Sequence, residues 1–295
     1  ALSCGAWGSV SAADNAATAG EDKNVNSIYS DGKISGVTYG LQATGDAASS
    51  KEGKISLTTP KVEIHATGTG IYANNWGSVI VGNTDTQDVS ISGASQGVKL
   101  SKGGCAEITG EQVKISNNGT RWKLIEIDNT IRTAKRPAKL IVKGKQIELA
   151  SAGQVIEARA KYSASQSYPK ASVVLGDDST ESLTIKGTSG IKLSNNSEVT
   201  GRAKDIALTA ESANSTVGVE ATNDKAKVQL IAKDHLLVDV TGNGAKSVHT
   251  TGDTEVNLSG NDVKIQATST GGSVYGVYSE TNSKATISGN AVEIG

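Results

Sequence analysis

The chain has 295 residues, a formal net charge of -1 and 3% aromatic residues, with neither Phe nor Met. Its 29 basic and 30 acidic residues balance, which gives no overall bias towards nucleic acid or anionic membranes, and no run of about 18 apolar residues predicts a membrane-spanning helix. Ordinary hydrophobic content with low net charge excludes an intrinsically disordered chain. Val and Ile outnumber Leu by 47 to 15, which favours strands over helices.

The chain begins with a segment that lacks the repeat pattern found later. Residues 12–22 are small, polar and acidic, which is typical of a loop or cap. A stack of strands needs its first edge shielded against further pairing. We therefore predict an N-terminal segment or cap at residues 1–36, followed by a repeat region at 37–295.

Short opening strands recur along the repeat region, each with a Gly followed by an apolar, a polar and a small or apolar residue. They start at positions 40, 70, 97, 190, 218 and 276, and adjacent openers are 30, 27 and 28 residues apart where the series is unbroken. Many are followed by two further strands in which apolar and polar residues alternate, with Gly or Asn at the corner between them.

The last two units show the repeat most clearly. Residues 255–266 align with 284–295 at an offset of 29, so Val256 matches Ala285 and Leu258 matches Ile287. Three strands in a unit of about 28 residues make one coil of a solenoid. We predict an all-β fold: a right-handed parallel β-helix of about nine coils with three short strands per coil, right-handed because parallel strand connections almost always are.

The middle of the repeat region is less regular. Insertions around residues 129–137 and 161–170 predict longer loops near 120–190, and loops that project from a solenoid often carry function. The chain stops on a strand at 291–295 without a cap, so we expect the natural protein to continue beyond residue 295.

The strongest charge asymmetry lies between residues 121 and 145, where eight basic residues face two acidic ones, a net charge of +6. Such a patch suits anionic glycans or sulfated matrix, with an aromatic side chain stacking on a sugar. A solvated loop is the alternative. The candidate ligand-binding residues of this region are Trp122, Arg132, Lys135, Arg136 and Lys139.

Aromatic side chains form a second candidate set in a chain that contains few of them. Tyr and Trp favour interfaces, so these residues could contact a sugar or a protein, or they could cover the ends and corners of the tube. The set comprises Tyr72, Trp76, Tyr162, Tyr168, Tyr275 and Tyr278. Of these, Tyr162 and Tyr168 join the candidate ligand-binding residues because they lie in a predicted insertion.

No catalytic or metal-binding motif is present. The three histidines are far apart in sequence, and two cysteines do not make a structural zinc site. Cys4 and Cys105 could form a disulfide in an oxidising compartment, or both could be free thiols. We expect no cofactor and no catalytic residue.

The openers at 70–73 (Gly-Ile-Tyr-Ala) and 276–279 (Gly-Val-Tyr-Ser), with the Asn-rich turns and paired strands that follow, resemble repeats of bacterial autotransporter passenger domains. The likeness covers residues 36–295. It implies export by type V secretion after removal of a signal peptide, and a β-helix displayed at the outer membrane or released. Most members of that family are adhesins, self-association factors or carriers of an enzyme domain.

From this resemblance we expect a surface-displayed adhesin with a role in virulence. Its partners would be host cells, glycans, matrix proteins or other copies of the chain, without nucleic acid and without membrane insertion by this segment. A polysaccharide-active β-helix enzyme is one alternative, and it would need clustered acids or bases on successive coils. A purely structural stalk is the other.

Overall fold

The computed structural model describes residues 14–130, 136–163 and 168–295. These residues form β-strands and turns but no helix, so none of the described segments is a helix that could cross a membrane.

The strands are short except where two of them continue around the corners of the solenoid. The first nine are β1 (Ala16–Ala17), β2 (Asp22–Asn24), β3 (Lys33–Ser35), β4 (Tyr39–Thr44), β5 (Gly53–Leu57), β6 (Lys61–Ala66), β7 (Thr69–Asn74), β8 (Gly77–Val81) and β9 (Asp88–Gly93). The next nine are β10 (Gln96–Ser101), β11 (Cys105–Thr109), β12 (Gln112–Asn117), β13 (Lys123–Asn129), β14 (Ala138–Lys143), β15 (Gln146–Ser151), β16 (Gln154–Ala160), β17 (Ala171–Leu175) and β18 (Ser182–Gly187). The last eight are β19 (Ser189–Ser194), β20 (Ser197–Thr222), β21 (Lys227–Thr251), β22 (Glu255–Ser259), β23 (Asp262–Gly271), β24 (Tyr275–Glu280), β25 (Lys284–Ser288) and β26 (Ala291–Ile294).

The strands stack in parallel on three faces. Face A contains β1, β4, β7, β10, β13, β16, β19 and β24; face B contains β2, β5, β8, β11, β14, β17, β22 and β25; face C contains β3, β6, β9, β12, β15, β18, β23 and β26. The long strands β20 and β21 run across all three faces. The predicted right-handed parallel β-helix is confirmed, with about nine turns. We name its edges corner A–B, corner B–C and corner C–A after the faces they join.

The N-terminal segment pairs with the repeat region wherever it is described. Strands β1, β2 and β3 lie against β4, β5 and β6 in parallel register. The connections from β13 to β14 and from β16 to β17, at the two expected insertions, both lie at corner A–B in adjacent coils. Residues 1–13, 131–135 and 164–167 lie outside the described part of the chain.

The interior of the tube consists of columns of aliphatic side chains, one from each coil. The 29-residue offset read from the sequence is the pairing register, since Val256 pairs with Ala285 and Leu258 with Ile287. One column on face C consists of Ile64, Ile91, Ile115, Leu149, Ile185, Leu208, Val238, Ile265 and Ile294. Fully burying one such side chain stabilises the fold by about 1.5–3 kcal/mol, so the columns hold the coils together.

The opener glycines form a column of their own where corner C–A meets face A. A Cβ atom at Gly70 would lie 2.6 Å from Ile91 Cγ2 and 2.7 Å from the carbonyl oxygen of Gly97, closer than real contacts allow. In three coils the position that pairs with the opener glycine carries a buried side chain instead: Leu124, Val155 and Ser247. Glycine marks the start of the other coils, and at Gly70 the corner leaves no room for a Cβ atom.

Outward side chains also form columns, and many of these carry charge. On face B, Glu198, Lys227, Glu255 and Lys284 follow one another on successive coils. The Lys227 ammonium lies 3.0 Å from the Glu255 carboxylate. Opposite charges directly across neighbouring strands stabilise a sheet, whereas like charges destabilise it.

Candidate binding surface

The described residues of the predicted basic patch do not share one surface. Trp122 precedes β13 at corner C–A, and Arg136 follows β13 at corner A–B. The seven residues of β13 put about 23 Å between those corners. Lys139 is exposed on face B beside Cys105. Arg132 and Lys135 lie outside the described residues.

Arg136 is held by the protein itself. Its Nε donates a hydrogen bond to the carbonyl oxygen of Gly103 at 2.6 Å, and Nη2 donates to that of Gly77 at 3.2 Å. Its Nη1 lies 2.9 Å from a carboxylate oxygen of Glu52. With these groups engaged and only 23% of its side chain exposed, Arg136 is suited to tying coils together rather than to binding a ligand.

Tyr162 and Tyr168 belong to the next coil at corner A–B. The Lys161 ammonium lies 5.1 Å from the centroid of the Tyr168 ring. The side-chain amide of Asn196 donates a hydrogen bond to the carbonyl oxygen of Tyr168 at 2.8 Å. Both tyrosines are half-buried, so they pack along this corner.

The other tyrosines of the candidate set contact nearby aromatic or basic side chains. Tyr72 stacks on Tyr39, with ring centroids 5.3 Å apart. Tyr275 and Tyr278 have centroids 4.6 Å apart, and the Lys246 ammonium lies 4.5 Å from the centroid of Tyr278. These contacts hold one ring of each pair partly buried and leave the other turned towards solvent.

Three exposed aromatic residues share one edge of the molecule, where corner C–A meets face A. Their exposed fractions are 38% for Tyr39, 48% for Trp122 and 37% for Tyr275. Tyr39 and Tyr275 begin β4 and β24, and Trp122 immediately precedes β13. We call this line the aromatic edge. The sequence analysis does not predict the aromatic edge, because its aromatic set omits Tyr39 and β13 has no opener glycine.

An open cleft runs along corner C–A, in the coils that lie between Trp122 and β24. It has a volume of about 590 Å³ and is open to solvent. Its walls are Ser151, Ala152, Lys186, Gly187, Thr188, Glu211, Ser212, Ala213, Thr241 and Thr270. These residues come from successive coils as the chain passes from face C to face A.

Backbone irregularity shapes this cleft. The pairing of β20 with β21 shifts register between Ser212 and Ser215 and again between Ser215 and Val217. Register shifts of this kind bend a strand and are common beside functional sites. A Cβ atom at Gly242 would lie 2.5 Å from the carbonyl oxygen of Ser212, so glycine allows the next coil to follow the bend.

The cleft carries polar groups that the protein leaves available. Within the described part of the chain, Lys186 and Glu211 make no ion pair, and the hydroxyls of Thr188, Thr241 and Thr270 make no hydrogen bond. One positive and one negative charge leave the cleft with no net charge. It offers donors and acceptors to a ligand without selecting strongly for either charge.

Carboxylates do occur on successive coils of face A, as the enzyme alternative requires. Glu126 and Glu157 are paired in register, but Glu126 lies 3.5 Å from the Lys99 ammonium and Glu157 lies 3.4 Å from that of Lys123. The neighbouring Asp128 is 2.8 Å from Arg159. Burial alone would raise the pKa of Asp128, but hydrogen bonds, including the one from Arg159, hold it below its ordinary value.

Face A also carries a half-buried pair of Glu220 and His249. Glu220 lies 3.2 Å from Nδ1 of His249 and 3.0 Å from the Lys192 ammonium. Burial raises the pKa of Glu220, but hydrogen bonds from His249 and Lys192 outweigh it and bring the pKa to about 2. This carboxylate is therefore ionised at neutral pH and poorly suited to donating a proton.

The remaining sequence candidates give no further site. Burial raises the pKa of the Cys105 thiol, which forms no disulfide with any described residue, and Cys4 lies outside the described chain. Within the same limits, no group of three or more His, Cys, Asp or Glu side chains could hold a metal ion.

The three stacked faces, the aliphatic columns and the open cleft at one corner define a right-handed parallel β-helix protein with an elongated surface. The chain matches no protein-family model, curated protein or solved structure.

Proposed function

We propose that this protein is an adhesin: a surface-displayed β-helix passenger of the autotransporter type that binds cells, glycans or matrix. The observation that carries the proposal is the aromatic edge, in which Tyr39, Trp122 and Tyr275 expose large rings along one line of the solenoid. Tyr and Trp supply much of the energy at binding surfaces because they combine apolar area with a polar group.

The rest of the surface supports a role in binding rather than in chemistry. The acids of face A are neutralised by cations, with Glu126 beside Lys99 and Asp128 beside Arg159. Acid catalysis needs a carboxyl group with a raised pKa, and those with a resolved shift on this face are lowered. We therefore propose that the bound ligand is retained and not cleaved.

Adhesion can be tested with the full chain coupled to beads and incubated with epithelial cells and immobilised matrix proteins. The proposal expects saturable binding that falls at least severalfold in a Tyr39→Ser, Trp122→Ser, Tyr275→Ser triple variant. The matched control is Ile28→Ser with Val292→Ser, which removes exposed apolar side chains away from the aromatic edge.

Two outcomes would contradict the proposal. Beads that bind no cells, matrix or other copies of the chain would favour a structural stalk. Release of soluble sugars from polysaccharides incubated with the protein, abolished by Glu126→Gln or Glu157→Gln, would favour the enzyme alternative.

A further inference from the structure

We propose that the cleft at corner C–A binds an uncharged oligosaccharide, with sugar rings stacked on Trp122 at one end and on Tyr275 at the other. The inference rests on the binding role proposed above and specifies its site and its ligand class. It depends on the position of the cleft between the coils of the two rings, on its length and on its charge.

The cleft begins in the coil that follows Trp122. The amide of Ala152, in the cleft wall, donates a hydrogen bond to the carbonyl oxygen of Asn117 in the preceding corner. A Cβ atom at Gly153 would lie 2.6 Å from the carbonyl oxygen of Trp122. Trp122 therefore occupies the coil that immediately precedes the first wall of the cleft.

The other end of the cleft lies in the coil that holds Tyr275. Thr270, the last lining residue, lies near the end of β23, and Tyr275 opens β24 after a short turn. Tyr275 is held against Tyr278 and lies 6.0 Å from the Lys246 ammonium, which fixes its ring near the edge of face A. The ring remains 37% exposed, so it is available to a ligand.

The distance between the two rings suits a chain of several sugars. Five strand-to-strand steps lead from β13, beside Trp122, through β16, β19, β20 and β21 to β24. At about 4.8 Å per step this is about 24 Å. The step is close to the length that one pyranose unit adds to an extended polysaccharide, so successive sugars would meet equivalent positions on successive coils.

The lining chemistry favours an uncharged carbohydrate. A pyranose ring has an apolar C–H face, which packs on Trp or Tyr, and a rim of hydroxyls, which pair with other hydroxyls and with charged groups. The free hydroxyls of Thr188, Thr241 and Thr270 suit that rim, as do Lys186 and Glu211. An anionic glycan would gain Lys186 but would meet Glu211, whereas an apolar peptide would leave the polar groups of the cleft unpaired.

Isothermal titration calorimetry of the full chain tests this, with cellohexaose, chitohexaose and mannohexaose as neutral probes and a heparin hexasaccharide as the anionic one. We expect at least one neutral hexasaccharide to bind, with an affinity that changes little between low and high salt. The corresponding disaccharide should bind much more weakly because it cannot reach both rings.

Site-directed variants locate the binding. Trp122→Ser and Tyr275→Ser should each weaken hexasaccharide binding by about tenfold. The matched control is Ile28→Ser, which removes an exposed apolar side chain between β2 and β3, away from corner C–A and from the cleft. Trp122→Tyr should restore most of the affinity, which separates loss of stacking from loss of folding.

Failure of this inference and failure of the adhesin proposal give different results. Cell adhesion without binding of any neutral hexasaccharide, or with a preference for heparin, would overturn the inference and leave the adhesin proposal standing. Neutral binding that Trp122→Ser and Tyr275→Ser do not change would also overturn it. Hexasaccharide binding in the cleft without adhesion would support this site and contradict the adhesin proposal.

Discussion

Arg136 lies over the indole ring of Trp76, with its central guanidinium carbon 5.3 Å from the ring centroid. Trp76 follows β7, and Arg136 follows β13, so the two residues belong to coils two strand steps apart. The same guanidinium reaches Glu52 in an earlier coil. These contacts make Arg136 a clamp across corner A–B.

Replacing Arg136 should destabilise the solenoid. Arg136→Lys keeps the charge but cannot reproduce the planar contacts with Trp76, Gly77 and Gly103, so we expect the free energy of unfolding to fall by about 1–3 kcal/mol. Urea denaturation followed by circular dichroism measures this. Lys139→Ala, an exposed basic residue nearby, should change stability by less than about 0.5 kcal/mol. Equal effects for the two variants would refute the clamp.

Glu220 should make stability depend on acid pH. Its pKa is about 2 in the folded protein and 4.5 ordinarily, so its contribution is fully present above pH 4.5 and is lost as the pH falls towards 2. That contribution is about 3 kcal/mol at most. Glu220→Gln should therefore lower the melting temperature at pH 7 and converge on the wild type near pH 2. In the exposed pair of Lys114 and Glu148, Glu148→Gln should have little effect at either pH.

Replacing an opener glycine with alanine should lower stability more than the same replacement at a glycine with space around it. Gly70→Ala forces its Cβ to within 2.6 Å of Ile91, and we expect a loss of about 1–3 kcal/mol. Gly260→Ala is the matched control because its nearest neighbour would be 3.4 Å away, an ordinary contact. Equal melting temperatures for the two variants would show that corner C–A can widen.

The thiol of Cys105 should be slow to react in the native protein. Burial raises its pKa, so little thiolate is present at pH 8. In a Cys4→Ser background, which leaves one thiol, we expect iodoacetamide to label the unfolded chain much faster than the folded chain. Mass spectrometry over time gives both rates, and similar rates would mean that the thiol is accessible in the native protein.

The fold was predictable from the sequence because a solenoid repeats its register. The 29-residue offset of Val256 and Ala285 is a backbone pairing, and aliphatic alternation gives each inward column. The sequence does not reveal the openers of three coils, because Leu124, Val155 and Ser247 replace the glycine that marks the other coils. Only the tertiary structure shows that side chains fill the corner in those three coils.

The candidate site was less predictable. Trp122 and Arg136 are 14 positions apart in sequence, yet β13 places them at different corners, because neighbours in a solenoid are about one coil apart along the chain. The cleft depends on register shifts around Ser215, which no residue pattern signals. Tyr39 and Tyr275 occupy equivalent positions in the coil repeat, although they are far apart along the chain.

The alternating column of Glu198, Lys227, Glu255 and Lys284 distinguishes one coil from the next. The aliphatic columns inside the tube are nearly interchangeable, so a pairing shifted by one whole coil would cost the core little. That shift would set Glu198 against Glu255 and Lys227 against Lys284, and like charges directly opposite are unfavourable. The surface charges thus favour pairing of the coils in the correct order, whereas the aliphatic interior stabilises the stack as a whole.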